Sequence, residues 1–427
     1  MVVVTDHTRN TSLREYARQI AAFDCSQFAA TVARPSPSTS RSVAVRVRPL
    51  LPDVAADRHA FVAVDQCSEP ATTVIHHCGM RTDGITPEVK HEGHASNLVF
   101  PAGATGHEML ELIGHSFLEH AWSGGSGTIL CFGQTGSGKT HTIGQICEAL
   151  CEAAFSQMDQ CVTLAALELA GSQATCLLCD DQDPETRVRI LEGKNGRVAV
   201  DGLMEREARS PQELSRLFHS ARSHRETRPT RRNSTSSRSH AVYYLRLGQR
   251  RGLIRLVDLA GSESTKDSLF HSPEECKATA EINRSLMALK DCIRQSAMGA
   301  SFVAFRANKL TLLLRNMLEP GSPHRSCFIS CVSPLASDCK QTARTLLYTT
   351  QLQGANQPKG NDPLKWTSQQ VAVFLDAFRP GLSQHFGGVS GKTLFFQHET
   401  EIARRVGNTA LAQQLYEELW RIRKNAK

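Results

Sequence analysis

One run of residues constrains the fold more than any other feature of the sequence: Gly133-Gln134-Thr135-Gly136-Ser137-Gly138-Lys139-Thr140. It has the Gly-x-x-x-x-Gly-Lys-Thr spacing of a phosphate-binding loop (P-loop), in which glycines let backbone N–H groups surround phosphate oxygens. An apolar, strand-like segment (128–132) precedes it and a helix-like segment (143–155) follows it. This order predicts a nucleoside triphosphate site in which Lys139 reaches the β- and γ-phosphates and the Thr140 hydroxyl ligates Mg²⁺.

A second Gly-Lys-Thr, Gly391-Lys392-Thr393, lacks the rest of this pattern. The first glycine of the motif would fall at position 386, which is Phe386, and no strand-like segment precedes it. We therefore predict a structural role for these residues.

Strand-like and helix-like segments alternate from Val43 to Ala355, with apolar runs at 43–47, 128–132 and 253–257. This alternation predicts an α/β fold with a central, mostly parallel sheet flanked by helices. Before it, Ser12-Leu13-Arg14-Glu15 has the pattern of a capping box and predicts that a helix starts there. We divide the chain into an N-terminal helix with a Pro/Ser-rich linker (1–42), an α/β domain (43–355), a linker (356–362) and a small helical domain (363–427).

Composition narrows the class of protein. The chain has 427 residues, 40% of them hydrophobic, which is enough for a large core. No apolar run approaches the roughly 20 residues that span a bilayer, and the first residues lack the pattern of a secretory signal. The formal charge of +7 favours an acidic partner, but no nucleic-acid-binding motif accompanies it. We expect binding neither to membranes nor to nucleic acid.

The 14 cysteines are scattered through apolar stretches, so we expect them to be reduced and buried. Cys176 and Cys179 have the spacing of a zinc or redox site, and His76-His77-Cys78 raises the same question. No second pair lies at a matching distance, so a hairpin is favoured over a metal site.

Two further motifs complete the nucleotide site. Asp258-Leu259-Ala260-Gly261-Ser262-Glu263 follows an apolar strand that ends at Val257, as a Walker B aspartate does. Asn233-Ser234-Thr235-Ser236-Ser237-Arg238-Ser239-His240 is rich in hydroxyl groups and includes one arginine. Together with the P-loop, the two motifs resemble the switches of the kinesin motor domain family.

The resemblance covers residues 43–355. It includes Arg46-Val47-Arg48-Pro49, His141, Ile282-Asn283-Arg284-Ser285-Leu286 and Phe305-Arg306-Ala307-Asn308-Lys309-Leu310-Thr311, in the family's order. The resemblance implies a microtubule-stimulated ATPase with the P-loop NTPase motor fold, which uses ATP and Mg²⁺ and binds tubulin. It also implies a location in the cytoplasm on the cytoskeleton, at a spindle or a flagellum.

The resemblance also implies roles for individual residues. Arg238 and Glu263 would pair and position the attacking water, since phosphoryl transfer depends mainly on positioning and charge stabilisation. The other implied roles are adenine binding by Arg46, Arg48, Pro49 and His141, closure on the γ-phosphate by Ser236 and Ser237, a place near Mg²⁺ for Ser237, a water-mediated Mg²⁺ contact for Asp258, and γ-phosphate sensing by the Gly261 amide.

Within the family, the sequence is most similar to kinesin-13, the microtubule depolymerases. Leu289-Lys290-Asp291-Cys292-Ile293-Arg294 resembles that group's Lys-Glu-Cys helix, and no heptad pattern is sustained. The group's Lys-Val-Asp finger is not readable in 78–97, where Glu88-Val89-Lys90 is at best a scrambled remnant. A plus-end-directed transport kinesin and a microtubule-binding adaptor stay open as alternatives.

The predicted microtubule face spans 282–295 and 305–315 and carries Lys290, Arg294, Lys309 and Arg315.

The last segment, 363–427, resembles a SAM domain, a small helical bundle that binds protein partners or itself. The alternative is a helical cap packed on the motor. The apolar positions that carry the resemblance are Trp366, Val371, Phe374, Leu375, Phe378, Leu382, Phe386, Val389, Leu394 and Phe395, with Gly391 and a final helix over 411–422.

Overall fold

The computed structural model describes residues 6–32, 41–52, 61–101, 103–113, 115–156, 162–179, 188–193, 198–227, 239–248, 252–261, 273–297, 300, 302–319, 322–354, 364, 366, 368–379 and 381–425. The chain divides into two compact units. The first comprises Met1–Ser296 and Phe302–Leu352, and the second comprises Ala297–Ser301 and Gln353–Lys427.

A large sheet forms the centre of the first unit, and its described residues contribute nine strands. These are β1 Arg41–Val47, β5 Leu98–Phe100, β6 Ser126–Phe132, β7 Val162–Ala170, β8 Gln173–Cys176, β11 Glu205–Ala208, β12 His240–Leu247, β13 Gly252–Asp258 and β14 Arg325–Val332. Their order is β11-β7-β12-β13-β6-β14-β1-β5, with β8 paired to β7. Strands β9 Arg189–Glu192 and β10 Val198–Asp201 form a separate antiparallel pair.

The predicted central sheet is confirmed, and its pairing is mixed. From β5 through β1, β14 and β6 to β13 all pairs are parallel, whereas β12 pairs antiparallel with both β13 and β7. The expectation of a mostly parallel sheet therefore holds for one half only. The reason is the short connection from Leu247 to Gly252, because a parallel pair needs a crossover of a dozen or more residues.

Helices flank this sheet and bury its apolar strands. Helix α7, for example, buries Ile282, Leu286, Leu289 and Ile293, which recur at helical spacing on one side. None of the described helices is both long and apolar enough to cross a membrane. The helices of this part are α3 Gly106–Ile113, α4 His115–Trp122, α5 Lys139–Ala153, α6 Pro211–Thr227, α7 Pro273–Ala297, α8 Lys309–Leu313, α9 Arg315–Leu318 and α10 Cys339–Gly354.

A three-stranded sheet, β2 Val64–Ser68, β3 Ala71–Met80 and β4 Pro87–Ala95, carries the N-terminal helices α1 Asp6–Ala21 and α2 Cys25–Thr31. The Phe23 ring stacks on the His91 imidazole with centroids 3.7 Å apart. The Gln19 amide donates to the Pro87 carbonyl at 3.2 Å and accepts from the Val89 N–H at 3.1 Å. These contacts attach the N-terminal segment to the outer strand of the sheet.

The predicted helix start at Ser12 is wrong, because α1 already begins at Asp6. Ser12 lies inside the helix, where its amide is not one of the unpaired donors at a helix start. The Glu15 carboxylate instead accepts hydrogen bonds from Arg18 and Gln19, three and four residues further along the same helix.

Strands β3 and β4 form a hairpin whose tip is residues 81–86. Glu88, Val89 and Lys90 lie within β4, opposite Gly79, Cys78 and His77. These three residues, at best a scrambled remnant of the Lys-Val-Asp finger, therefore lie in the strand next to the tip and not in the tip itself.

Residues whose sequence spacing resembles that of a metal site are found in the β-sheets. His76 of β3 is buried, with its Nε2 3.1 Å from the Asp65 carboxylate and its Nδ1 2.8 Å from His91 Nδ1. Cys176 lies on β8, in the hairpin that β8 makes with β7. Across the described residues, no group of three or more His, Cys, Asp or Glu side chains is arranged to hold a metal ion.

The second unit is a set of short helices around its own core. They are α11 Ser368–Phe378, a 3₁₀ turn Leu382–Phe386, α12 Gly391–Phe395, α13 Glu399–Val406 and α14 Thr409–Asn425. Ser390 caps α12 by accepting from the Thr393 N–H, so Gly391-Lys392-Thr393 is the start of a five-residue helix and is structural, as predicted. The core consists of Trp366, Val371, Leu375, Leu382, Phe386, Val389, Leu394, Phe395, Ile402, Leu411, Ala412, Leu415 and Leu419, with Phe374 and Phe378 packed against it.

Candidate nucleotide-binding site

The P-loop connects the end of β6 to the start of α5, as the sequence predicts. Gly133 has φ +150°, and a Cβ there would lie 2.1 Å from the Cys331 carbonyl oxygen, so this position admits only glycine. Gly138 has φ +94° and is the N-cap of α5. The loop therefore ends at a helix N-terminus, where unpaired N–H groups and the helix dipole favour phosphate.

Side chains of the loop are held in place by its own backbone. Lys139 is buried, and its Nζ donates to the Gln134 carbonyl oxygen at 2.8 Å. The Ser137 hydroxyl donates to the same oxygen at 2.8 Å. Thr135 and Gly136 form the exposed turn of the loop. The ammonium group of Lys139 is thus positioned inside the loop that would surround the phosphates.

Asp258 stands at the end of β13 beside the P-loop. Its Oδ2 accepts from the Thr140 hydroxyl at 2.8 Å and from Nη1 of Arg225 at 2.6 Å. Asp258 and Arg225 are both almost fully buried, and Nη2 of Arg225 also donates to the Ser239 carbonyl at 2.7 Å. The structure thus brings together two residues that the sequence assigned to the metal site and adds an arginine from α6.

Arg225 remains charged in this position. Burial disfavours its charge, but the charge of Asp258, aided by their hydrogen bond, outweighs burial, and the pKa of Arg225 is raised. No sequence motif marks Arg225, because it lies on α6, far along the chain from Asp258 and before the hydroxyl-rich segment.

Arg46 of β1 and Arg48, which follows β1, lie close to the P-loop. A Cβ on Gly138 would be 3.6 Å from Arg46 Nη1 and 3.7 Å from Arg48 Cβ. Arg46 is buried, and its guanidinium donates to Thr142 Oγ1 at 3.0 Å and to Gln145 Oε1 at 3.3 Å, both on α5. This arginine thus ties β1 to the P-loop helix.

Pro49 and His141 are exposed near these arginines, whereas Arg48 is half-buried and donates to the Pro49 carbonyl at 3.1 Å. Partial desolvation, and then the charge of Arg46, lowers the pKa of His141, so its imidazole is neutral at pH 7. A neutral, exposed imidazole has a flat face suited to stacking on a nucleobase.

Buried polar atoms that lack a hydrogen-bond partner indicate whether the site suits Mg²⁺ and a nucleotide. Asp258 Oδ1, Gln134 Oε1, Arg46 Nε and Arg48 Nε are buried without a hydrogen-bond partner among the described residues. Buried polar atoms are normally paired, so these atoms suit a bound polar group. A carboxylate and a hydroxyl are oxygen ligands that Mg²⁺ accepts, directly or through water. The residues therefore fit the ion.

Several predicted site residues lie outside the described part of the chain: Ser236, Ser237, Arg238 and Glu263. Gly261 is described and buried, three residues after Asp258. The roles predicted for these four residues and for Gly261, in contact with the γ-phosphate and its metal and in positioning water, stay predictions.

The predicted microtubule face is only partly available to a partner. Lys290 Nζ lies 4.1 Å from the centroid of the Tyr348 ring, and Arg315 bridges Glu192 at 2.7 Å and Glu319 at 3.3 Å. The exposed side of α7 instead presents Arg284, Met287 and Arg294. Arg284 is not among the predicted cations, and the structure exposes it on the same helix as Arg294.

The fold and the site define a P-loop nucleotide-binding protein, because a parallel strand, a glycine-rich loop and a helix N-terminus meet a Walker B aspartate. The family model of the kinesin motor domain matches residues 46–354. The chain belongs to this family.

A curated relative, the diatom spindle kinesin-1 of Cylindrotheca fusiformis, is 34% identical over 288 residues. The match covers 65% of this chain and 45% of the relative, so this chain spans less than half of the relative's length.

Two solved structures share the fold. One is the KIF14 segment 391–772, a dimer in a two-heads-bound state with AMP-PNP in complex with a microtubule; it has a TM-score of 0.60 and 24% identity, and the match covers 74% of this chain and 94% of that chain. The other is a fast kinesin studied for its ATPase mechanism and its interactions with microtubules, with a TM-score of 0.62, 23% identity, and coverage of 74% and 91%.

Proposed function

We propose that this chain is an ATPase that is stimulated by microtubules. The observation that carries the proposal is the contact between Thr140 of the P-loop and Asp258 of β13, next to Asp258 Oδ1, which is buried and has no hydrogen-bond partner among the described residues. This arrangement belongs to a site that holds a phosphate chain together with a divalent cation. When bound, Mg²⁺ neutralises charge on the phosphates.

In this proposal the chain's own residues hold and orient the substrate. Lys139 and the N-terminus of α5 bind the β- and γ-phosphates, and Arg225 holds the Asp258 carboxylate beside Thr140. Arg48, Pro49 and His141 form the adenine side of the site, and Arg46 supports it from β1. Arg238 and Glu263 position the attacking water, and Ser236, Ser237 and Gly261 contact the γ-phosphate and its metal.

The finer proposal is a kinesin-13-like depolymerase that regulates microtubule length. Two features of the chain support it: the Lys290-Asp291-Cys292 segment of α7, and the β3–β4 hairpin. At the hairpin tip, Arg81-Thr82-Asp83 has the order of a cation, a β-branched residue and an aspartate, as in the Lys-Val-Asp finger. Neighbouring Ile85 is 81% exposed, which gives the tip an apolar side chain for a partner.

We also propose that the second unit is a SAM-like module for self-association or for a protein partner. Its support is a set of short helices around a core built from the apolar positions of the resemblance. Together these proposals place the protein on the microtubule cytoskeleton, and a spindle or a flagellum would suit that activity.

The experiment is ATP turnover by the purified chain with and without stabilised microtubules. We expect microtubules to raise turnover severalfold. The Lys139→Ala variant should lose at least about a hundredfold, since the loss of one preorganised charge contact to a reacting group costs 10²–10³ in rate. Unchanged turnover in Lys139→Ala, or no response to microtubules in the native chain, would contradict the proposal.

The same assay tests the partner surface. Arg284→Glu together with Arg294→Glu should raise the half-saturating microtubule concentration several-fold, because exposed cations attract the acidic tubulin surface and are screened by salt. Arg216→Glu, an exposed arginine on α6, is the matched control and should leave this concentration unchanged.

A further inference from the structure

His240 is a buried imidazole with both ring nitrogens in hydrogen bonds. It is the first residue of β12 and is 1% exposed. Its Nδ1 accepts from the Ala260 backbone N–H at 3.1 Å, and its Nε2 lies 2.8 Å from the Ser285 hydroxyl oxygen. Ser285 is also buried, and its hydroxyl donates to the Ile282 carbonyl at 2.7 Å.

The Ala260 N–H determines which atom donates and which accepts in each of these connected hydrogen bonds. A backbone N–H can only donate, so Nδ1 carries no proton and the single proton of the neutral imidazole is on Nε2. Nε2 therefore donates to Ser285, whose own hydrogen is directed to Ile282. Burial, with the charges of Arg225 and Lys139, lowers the pKa of His240 to about 3, so this neutral tautomer persists at physiological pH.

The two residues that His240 connects, Ala260 and Ser285, belong to different functional parts of the protein. Ala260 lies two residues after Asp258, which contacts Thr140 of the P-loop and Arg225 of α6. Ser285 lies on α7, next to Arg284 on the exposed face of that helix. One imidazole thus connects the backbone of the Asp258–Gly261 segment to the helix that carries the proposed microtubule contacts.

We propose that His240 is a positioning residue that couples the Asp258–Gly261 segment to α7, so that a shift of this segment with the bound nucleotide displaces the helix. The inference rests on the proposed function. It assigns the coupling to two hydrogen bonds, Ala260 to His240 and His240 to Ser285, and the second can be removed while the first is kept.

Two conservative variants remove the His240–Ser285 bond and keep the Ala260–His240 bond. His240→Asn keeps an acceptor at the place of Nδ1 but does not reach Ser285, whereas Ser285→Ala removes the same bond from the helix side. The matched control is Ser296→Ala: Ser296 is a buried serine on the same helix, and it donates to the Leu318 carbonyl at 2.6 Å without contacting His240. His240→Asn and Ser296→Ala each lose one buried hydrogen bond, and Ser285→Ala also loses the bond from its hydroxyl to the Ile282 carbonyl.

The first readout is microtubule-stimulated turnover. We expect His240→Asn and Ser285→Ala each to lower the maximal stimulated rate about tenfold, with a change below about twofold in the half-saturating microtubule concentration. Since both remove the same bond, the double variant should lose no more than either single variant. Ser296→Ala should keep stimulation at a similar thermal midpoint. Equal losses in all three variants, or additive losses in the double variant, would overturn the inference.

A second readout does not depend on microtubules. Amide hydrogen exchange in α7 is compared between chain loaded with ADP and chain loaded with a non-hydrolysable ATP analogue. The native chain and Ser296→Ala should show a nucleotide-dependent difference in α7, and His240→Asn and Ser285→Ala should lose it. If native turnover ignores microtubules while this pattern holds, the proposed function fails and the coupling stands. If the variants keep the nucleotide-dependent difference, the coupling is refuted.

Discussion

At the scale of single residues, the motifs locate the phosphate site well because their spacing is local. Lys139 and Thr140 are adjacent and follow one strand, so the path of the backbone alone brings them to the P-loop. Arg225 is different: its partner Asp258 lies far along the chain, and only the packing of α6 beside β13 joins them. A buried arginine in a polar helical segment has no local signature.

Arg225 yields a prediction about stability. In Arg225→Ala, Asp258 stays buried and loses its cation, and breaking a buried pair in this way costs about 3–5 kcal/mol. The control is Arg246→Ala, because Arg246 and Glu205 form a pair with 2.8 Å between Nε and Oε1 in which both side chains are one-third exposed. Such partly exposed pairs contribute about 0.2–1 kcal/mol.

Urea unfolding without nucleotide measures both variants. A loss in Arg225→Ala no larger than in the control would show that Asp258 is satisfied by other groups and that Arg225 does not hold it.

At the scale of elements, the sequence predicts which segments are strands and helices but not how they pair or where they begin. Apolar runs identify β1, β6 and β13, yet the change from parallel to antiparallel pairing depends on the short connection after β12. The start of α1 at Asp6 was missed since Ser12 and Glu15 match a capping pattern that also occurs inside helices. The Lys-Val-Asp finger is not readable in 78–97 from sequence alone, because the position of a hairpin tip depends on cross-strand pairing, which places it at 81–86.

The hairpin yields a prediction that separates a depolymerase from a walking motor. Arg81 and Lys90 are exposed and each lies 3.6 Å from Glu88, but only Arg81 is in the tip. Arg81→Glu should slow the shortening of stabilised microtubules several-fold, because a tip that contacts acidic tubulin becomes repulsive. Lys90→Glu is the control and should have a much smaller effect, and both variants should keep ATP turnover.

Video microscopy of labelled microtubules measures shortening at the ends. Equal shortening rates in both variants would exclude the tip as the acting element. Directional gliding of microtubules without shortening by the native chain would refute the depolymerase proposal and leave the ATPase proposal standing.

At the scale of the whole molecule, several buried histidines are held neutral. Burial, followed by the charge of Arg255, lowers the pKa of His324 to about 3, and its ring nitrogens lie 2.7 and 2.8 Å from the hydroxyls of Ser126 and Thr128. Burial likewise lowers the pKa of His240 to about 3, and desolvation lowers the pKa values of His91 and His94 in the small sheet. Sequence alone could not predict this, since a histidine's burial depends on strands that meet only in the fold.

These shifts predict that acid destabilises the first unit between pH 6.5 and 5. The unfolded chain takes up protons on these histidines near pH 6.5, whereas the folded chain resists protonation of His240 and His324 until about pH 3. In this window the unfolded state binds more protons, so stability is fully present above pH 6.5 and falls as the pH decreases. Each of the two contributes a loss of about 2 kcal/mol between pH 6.5 and 5, at 1.36 kcal/mol per pH unit.

Urea unfolding followed by circular dichroism from pH 7.5 to 5 tests this prediction, with His324→Gln as the variant and His219→Gln, an exposed histidine of α6, as the control. The glutamine at position 324 keeps polar atoms near Ser126 and Thr128 but does not titrate, so its stability should depend less steeply on pH than that of the native chain. The control should keep the native slope, because it removes an exposed imidazole and leaves His240 and His324 in place. Parallel pH profiles for all three proteins would show that His324 is protonated in the folded chain and that other groups cause the acid sensitivity.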